Sequence, residues 1–98
     1  MNSEIQKQLE NEVKFFAKRN MCASCYVDID EYPGIMEDLI CGDFNDCLVS
    51  TIYNECINDL EYSGIPIDDE VQKEALRLLK IEAKYWLSDY RKHRKDYE

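Results

Sequence analysis

Apolar residues recur every three or four positions along most of the chain, which is the spacing of amphipathic helices. The clearest stretch runs from Asp68 to Lys95. Its apolar face, which also includes Glu82, is formed by Val71, Ala75, Leu78, Leu79, Ala83, Trp86 and Tyr90. This pattern predicts a helix about 40 Å long, more than the width of a core that so short a chain can build. We therefore expect one end of this helix to project and part of its apolar face to need cover from another chain.

A shorter helix is predicted near the N-terminus, over residues 4–19. Ser3 with Gln6 has the form of a capping box in front of it. Residues 20–42 lose the helical spacing and contain proline and glycine, so they are predicted to be irregular, with a loop or one short extended segment where residues 26–30 alternate. Only residues 35–40 are expected to form a brief helical turn, halted by the glycine at position 42.

A third helix is predicted over residues 43–63. Asp43 is placed to cap its first turn, and Gly64 to end it in a left-handed conformation. Asp68 or Asp69 then caps the long helix. Two amphipathic helices joined by so short a link pack against each other, so we predict a single all-α domain with three main helices.

The 98 residues suffice for one small core. No apolar run is long enough to span a membrane, and the polar N-terminus does not have the form of a signal peptide. Five cysteines are an odd number, and two of them fall within one predicted helix. The sequence therefore favours an intracellular protein with reduced thiols over a disulfide framework.

Candidate chemistry is sparse. Cys22 and Cys25 have the spacing of half a zinc site or of a thiol redox motif. A redox motif follows a strand and precedes a helix, whereas here it follows a helix and precedes a loop. A zinc site needs further ligands, and the remaining candidates form no second pair; they are Cys41, Cys47, Cys56 and His93. The sequence contains neither a glycine-rich phosphate loop nor a serine–histidine constellation. We therefore predict no enzymatic activity, no cofactor and no metal, and the sequence assigns the cysteines no role.

Negative charge is concentrated in the middle of the chain. Residues 20–72 contain 13 acidic residues and no basic ones, within a net charge of −9. Such a block repels nucleic acid backbones and attracts basic surfaces. The alternative interpretation is that the block is simply a solvated face that keeps a small protein soluble. Surplus tyrosines, several of them off the main apolar faces, favour an interface and hence oligomerisation.

The second half of the chain resembles the phage head–tail connector (adaptor) family. The similarity rests on the run Asp43-Phe44-Asn45-Asp46-Cys47-Leu48, on the run 58–65 that ends in Gly64-Ile65, and on the acidic turn and long helix that follow. It covers about residues 39–98. The N-terminal third does not match the pattern, and the chain ends soon after Tyr97, where many members continue.

The resemblance implies a structural virion protein. Such a protein forms a ring of identical subunits beneath the portal, conducts DNA without binding it specifically, and joins the capsid to a stopper or tail completion protein. The predicted DNA-facing acidic surface comprises Asp28, Asp30, Glu31, Glu37, Asp38, Asp43 and Asp46. The predicted docking residues are Tyr90, Arg91, Arg94 and Tyr97.

Two other classes of protein fit the same residues. A small acidic inhibitor encoded by a phage would use the acidic block to mimic DNA or to occupy a basic groove on a defence complex, such as a nuclease or a CRISPR effector. A zinc-dependent interaction module would bind stoichiometric metal. Light scattering separates the ring from the inhibitor, and elemental analysis detects the metal.

Overall fold

Four α-helices form most of the protein. The computed structural model describes residues 2–26 and 29–93. Its helices are α1 (Ser3–Asn20), α2 (Tyr32–Cys41), α3 (Cys47–Tyr62) and α4 (Asp69–Lys92), with a short 3-10 helix at Ala23–Cys25. No strand occurs in the described residues, so the fold is all-α, as predicted.

Residues 20–42 were predicted to be irregular apart from a brief helical turn at 35–40; that turn is present, but it belongs to the longer helix α2, Tyr32–Cys41. Pro33 lies in its first turn, where the absence of a backbone N–H is harmless. The buried side chains at helical spacing are Tyr32, Ile35, Met36 and Leu39. Gly42 ends the helix with φ 77°, as expected, and its N–H donates to the carbonyl of Leu39. A proline followed by a glycine suggested a loop, yet both residues are compatible with this short helix.

Two predicted caps lie at the wrong residue. Asn2 rather than Ser3 caps α1, because its side-chain oxygen accepts a 2.8 Å hydrogen bond from the backbone N–H of Ile5. Asp46 rather than Asp43 caps α3. The backbone N–H of Asp43 instead donates to the carbonyl of Asp38 at 2.9 Å, in the last turn of α2. Asp43 therefore belongs to the end of α2 and not to the beginning of α3.

The connection from α3 to α4 forms as predicted. Gly64 adopts φ 89°, and the N–H of Ile65 donates to the carbonyl of Leu60 at 3.1 Å. Ile65 is buried beside it, which completes the hydrophobic contact typical of this helix ending. Asp68 caps α4 by accepting from the N–H of Val71 at 2.8 Å.

Most of the apolar face of α4 is covered by the protein's own chain, with Leu78 and Trp86 only partly buried, so the prediction that this face needs another chain is wrong for most of its length. Six residues from one end of the helix to the other are buried: Val71, Ala75, Leu79, Ala83, Leu87 and Tyr90. Helix α4 is about 36 Å long, and it fits within the 43 Å length of the molecule. The predicted irregular segment supplies the missing cover, since α2 packs along the C-terminal half of α4.

Tyr32 fixes α2 to its neighbours. Its hydroxyl donates a 2.6 Å hydrogen bond to the carbonyl of Met21, just after α1. Its ring lies edge-on to the rings of Tyr26 and Tyr90, with centroids 5.0 and 5.2 Å away. One fully buried side chain thereby joins the ends of α1, α2 and α4.

Within the described residues, no helix has the length and apolarity needed to cross a membrane.

Candidate docking surface

A groove runs along the surface between α1 and α4. We call it the α1–α4 groove, and its lining residues are Lys14, Lys18, Ile81, Glu82, Tyr85 and Trp86. Its volume is about 460 Å³. A second depression of about 260 Å³ shares three of these residues and extends towards Glu10 and Leu78. The two depressions therefore form one continuous trough.

The trough exists because α1 and α4 lie side by side and run in the same direction. Lys14 and Lys18 are one turn apart on α1, and they follow the same order along the groove as Ile81 and Tyr85 on α4. Residues four apart share one face of a helix. Each helix therefore contributes a row of side chains to one wall.

The α4 wall contains large apolar side chains that the fold leaves uncovered. Ile81 is 49% exposed and Tyr85 is 59% exposed, whereas Leu79 and Ala83 on the opposite side of the same helix are fully buried. Isolated exposed apolar residues are ordinary, but two adjacent ones lining a groove mark a candidate interaction site. The groove is therefore the apolar surface best suited to receive a partner.

Trp86 forms part of the same wall. Its ring lies edge-on to that of Tyr85, with centroids 5.1 Å apart. Its indole N–H is buried and has no hydrogen-bond partner among the described residues. An unpaired buried donor costs about 1–3 kcal/mol, so this side chain is held by packing rather than by polar contacts.

The charges in the groove are mostly positive. Burial raises the pKa of Glu82, and the nearby ammonium of Lys14 partly offsets that rise. Lys18 adds a second positive charge on the same wall. Two lysines therefore face one half-buried carboxylate, in a protein that is otherwise strongly acidic.

The opposite charge is concentrated where α2 meets α3. We call this surface the acidic junction, formed by Asp38, Asp43, Phe44, Asp46 and Leu48. The pKa of Asp38 is raised by partial burial and then by the carboxylates of Asp43 and Asp46, so the three groups lie close together. Phe44 and Leu48 are 38% and 43% exposed beside them.

The rest of the predicted DNA-facing surface is spread along α2. Asp30 and Glu31 are exposed just before the helix. Glu37 is exposed in the middle of α2, and its carboxylate accepts a 2.7 Å hydrogen bond from the guanidinium of Arg91, with which it forms an ion pair. Asp28 lies outside the described residues. The structure thus brings together only part of the predicted acidic set.

The predicted docking residues likewise do not form one surface. Tyr90 is 8% exposed and packs on Tyr32, so it belongs to the core and is not available on the surface. Arg91 is exposed and paired with Glu37. Arg94 and Tyr97 lie outside the described residues.

The cysteines differ mainly in exposure. Cys41 and Cys47 are exposed and Cys22 is half-buried. Cys56 is buried, and this burial raises its pKa to about 12. In the ranges 2–26 and 29–93, no group of three or more His, Cys, Asp or Glu side chains is placed to hold a metal ion.

Sequence reasoning missed the α1–α4 groove. Part of the signal was visible, because Tyr85 falls off the main apolar face of its helix. The lysines of the opposite wall are far away in sequence, and only the packing of α1 beside α4 shows that they line the same groove.

No protein-family model matches the chain, and no similar curated protein or solved structure is found.

Proposed function

We propose that this protein is a non-enzymatic docking protein of the head–tail connector type. The observation that carries the proposal is the α1–α4 groove, where Ile81 and Tyr85 remain exposed although the opposite face of the same helix is buried along its whole length. A fold that already covers its core has no need of these side chains for its own stability. They are suited instead to contact with another protein.

The connector assignment is supported by the helix pair on which the resemblance rests. Helix α3 ends at Gly64 with Ile65 folded back, and Asp68 starts the long α4. These features belong to residues 39–98, the part of the chain that is similar to the family. In a connector, such a pair is part of a ring subunit between the portal and a stopper or tail completion protein of the virion.

The separation of charge fits a DNA conduit. The acidic residues accompany α2, which contacts one side of α4, where Glu37 pairs with Arg91. The α1–α4 groove lies on the other side of α4, beside α1. An inward-facing acidic side would let DNA pass without gripping its phosphates, while the groove docks on the portal or on a neighbouring subunit.

The test is binding to the portal ring encoded by the same genome. The purified protein should co-sediment with that ring, and the variant Ile81→Ser with Tyr85→Ser should bind at least about tenfold more weakly, because it removes the exposed apolar contacts. Tyr62→Ser is the matched control, since Tyr62 is 94% exposed and does not line the groove. Absence of binding by the unaltered protein contradicts the connector assignment.

A second candidate is a small acidic inhibitor, and the acidic junction favours it. A monomer that shelters its own core and presents Asp38, Asp43 and Asp46 together has the form of a plug for a basic groove. Such a protein would block a defence nuclease of the host. The variant Asp38→Asn with Asp43→Asn would lose that block, whereas the serine variants in the groove would retain it.

A further inference from the structure

We propose that the α1–α4 groove binds one amphipathic helix of a different protein, with an acidic residue at the end of that helix near Lys18 and a basic residue at the end near Glu10. This inference rests on the docking function proposed above and adds the kind of segment that the groove receives. The occupant is a partner protein and not a second copy of this chain.

Helix α4 presents a second apolar stripe, separate from the face that it buries in the core. Leu78, Ile81 and Tyr85 follow one another at spacings of three and four residues, and all three line the trough. Leu78 is partly buried, whereas Ile81 and Tyr85 are exposed. Apolar residues at these spacings form the stripe by which one helix packs on another. The stripe therefore has room for a further helix on its outer side.

A helix is the conformation that suits this stripe. Leu78 and Tyr85 are separated by about 11 Å along the axis, which is two helical turns, so a helix of about three turns would cover them. A helix satisfies its own backbone hydrogen bonds, whereas an extended segment would set part of its amides against apolar side chains. The described residues include no strand whose edge an extended segment could join.

The charges along the trough determine which end of the bound helix is acidic. Glu10 and Lys18 lie two turns apart on α1, at opposite ends of the trough. Between them, burial raises the pKa of Glu82 and the ammonium of Lys14 lowers it, so these two charges offset each other. Lys18 forms no ion pair with a described residue. A helix with the opposite order of charges complements the negative and the positive end.

A second copy of this chain does not supply such a helix. Two copies of the same trough cannot fill each other, because both surfaces are concave. Outside the groove, the exposed large apolar side chains of the described residues lie on α1, before α3 and at the two ends of α3; they are Phe15, Phe44, Leu48 and Tyr62. None of them follows another by three or four positions within one helix, so no second stripe is available.

The test is selection on the purified protein from a display library of random peptides of about 16 residues, enough for four helical turns. Peptides that bind the variant Ile81→Ser with Tyr85→Ser are removed first, because that variant lacks the exposed part of the stripe. The enriched peptides should have apolar residues at spacings of three, four and seven, and acidic residues towards one end. Enrichment of sequences without this periodicity, or no enrichment, would overturn the inference.

The affinity of one enriched peptide that lacks tryptophan is then measured through Trp86, the protein's single tryptophan, which lines the groove. Proline at the centre of the peptide should weaken binding at least about tenfold, because proline interrupts a helix. A peptide that tolerates this proline would show that the groove does not receive a helix. Tyr62→Ser, outside the groove, should bind like the unaltered protein.

Charge exchange tests the order of charges. Lys18→Glu should bind the peptide about fivefold more weakly or worse, and a peptide whose acidic end is changed to lysine should recover the affinity. Lys73→Glu makes the same change in net charge outside the groove and should bind normally. Equal binding by the two variants would overturn the assigned order. Circular dichroism verifies that every variant is folded.

Sedimentation velocity tests the other occupant. A dimer of the unaltered protein that is lost in Ile81→Ser with Tyr85→Ser would overturn the inference, because a second copy would then occupy the groove. Portal binding by a protein that selects no helix would overturn this inference alone. Selection of helices by a protein that does not bind the portal would leave the inference standing and contradict the connector assignment.

Discussion

Replacing Tyr32 with phenylalanine is expected to lower the free energy of unfolding by about 1–3 kcal/mol. Tyr32 is fully buried, and its hydroxyl donates a 2.6 Å hydrogen bond to the carbonyl of Met21, which is buried as well. Phenylalanine keeps the ring and its edge-on contacts with Tyr26 and Tyr90. The change therefore removes the hydroxyl alone and deprives a buried carbonyl of this donor.

Urea denaturation followed by circular dichroism measures the effect. For a small domain the free energy falls by about 1–3 kcal/mol per M of urea, so a loss of about 2 kcal/mol moves the midpoint by about 1 M. Tyr62→Phe is the matched control. Because Tyr62 is 94% exposed, its replacement should change stability by less than about 0.5 kcal/mol.

A Tyr32→Phe midpoint that coincides with that of Tyr62→Phe would refute this reasoning. It would mean that the hydroxyl does not hold α2 in place. Apolar packing alone would then hold α2 against the C-terminal half of α4.

Three further outcomes are expected. Asp46→Ala should cost about 0.5–2 kcal/mol by thermal or urea unfolding and Asp43→Ala clearly less, because Asp46 caps α3; equal losses would contradict the observed cap. Iodoacetamide followed by mass spectrometry should modify exposed Cys41 in the native protein and Cys56 only after unfolding, since Cys56 is buried with a pKa of about 12; equal rates would show that its site opens readily. Asp38→Asn should stabilise the protein at neutral pH, because the raised pKa of Asp38 means that folding disfavours its ionised form. This gain in stability should vanish below pH 3.8, where the carboxyl is protonated in both the folded and the unfolded state. A gain that does not depend on pH would contradict the electrostatic cause.

The local signals in the sequence determined the beginnings and ends of several helices. Gly64 ends α3 and Asp68 caps α4 because these roles depend on backbone geometry within a few residues. The apolar spacing of α4 was equally legible, although Leu87 was missed. The all-α fold followed from these features.

Only the tertiary structure decided what covers the long helix. Tyr32 and Leu39 lie in a segment that contains proline and glycine, and their burial depends on α2 meeting α4. The same is true of the groove, where Lys14 and Tyr85 come from opposite ends of the chain. Periodicity indicates which face of a helix is apolar. It does not indicate which distant segment packs on that face, or which side chains of the two helices then line a groove between them.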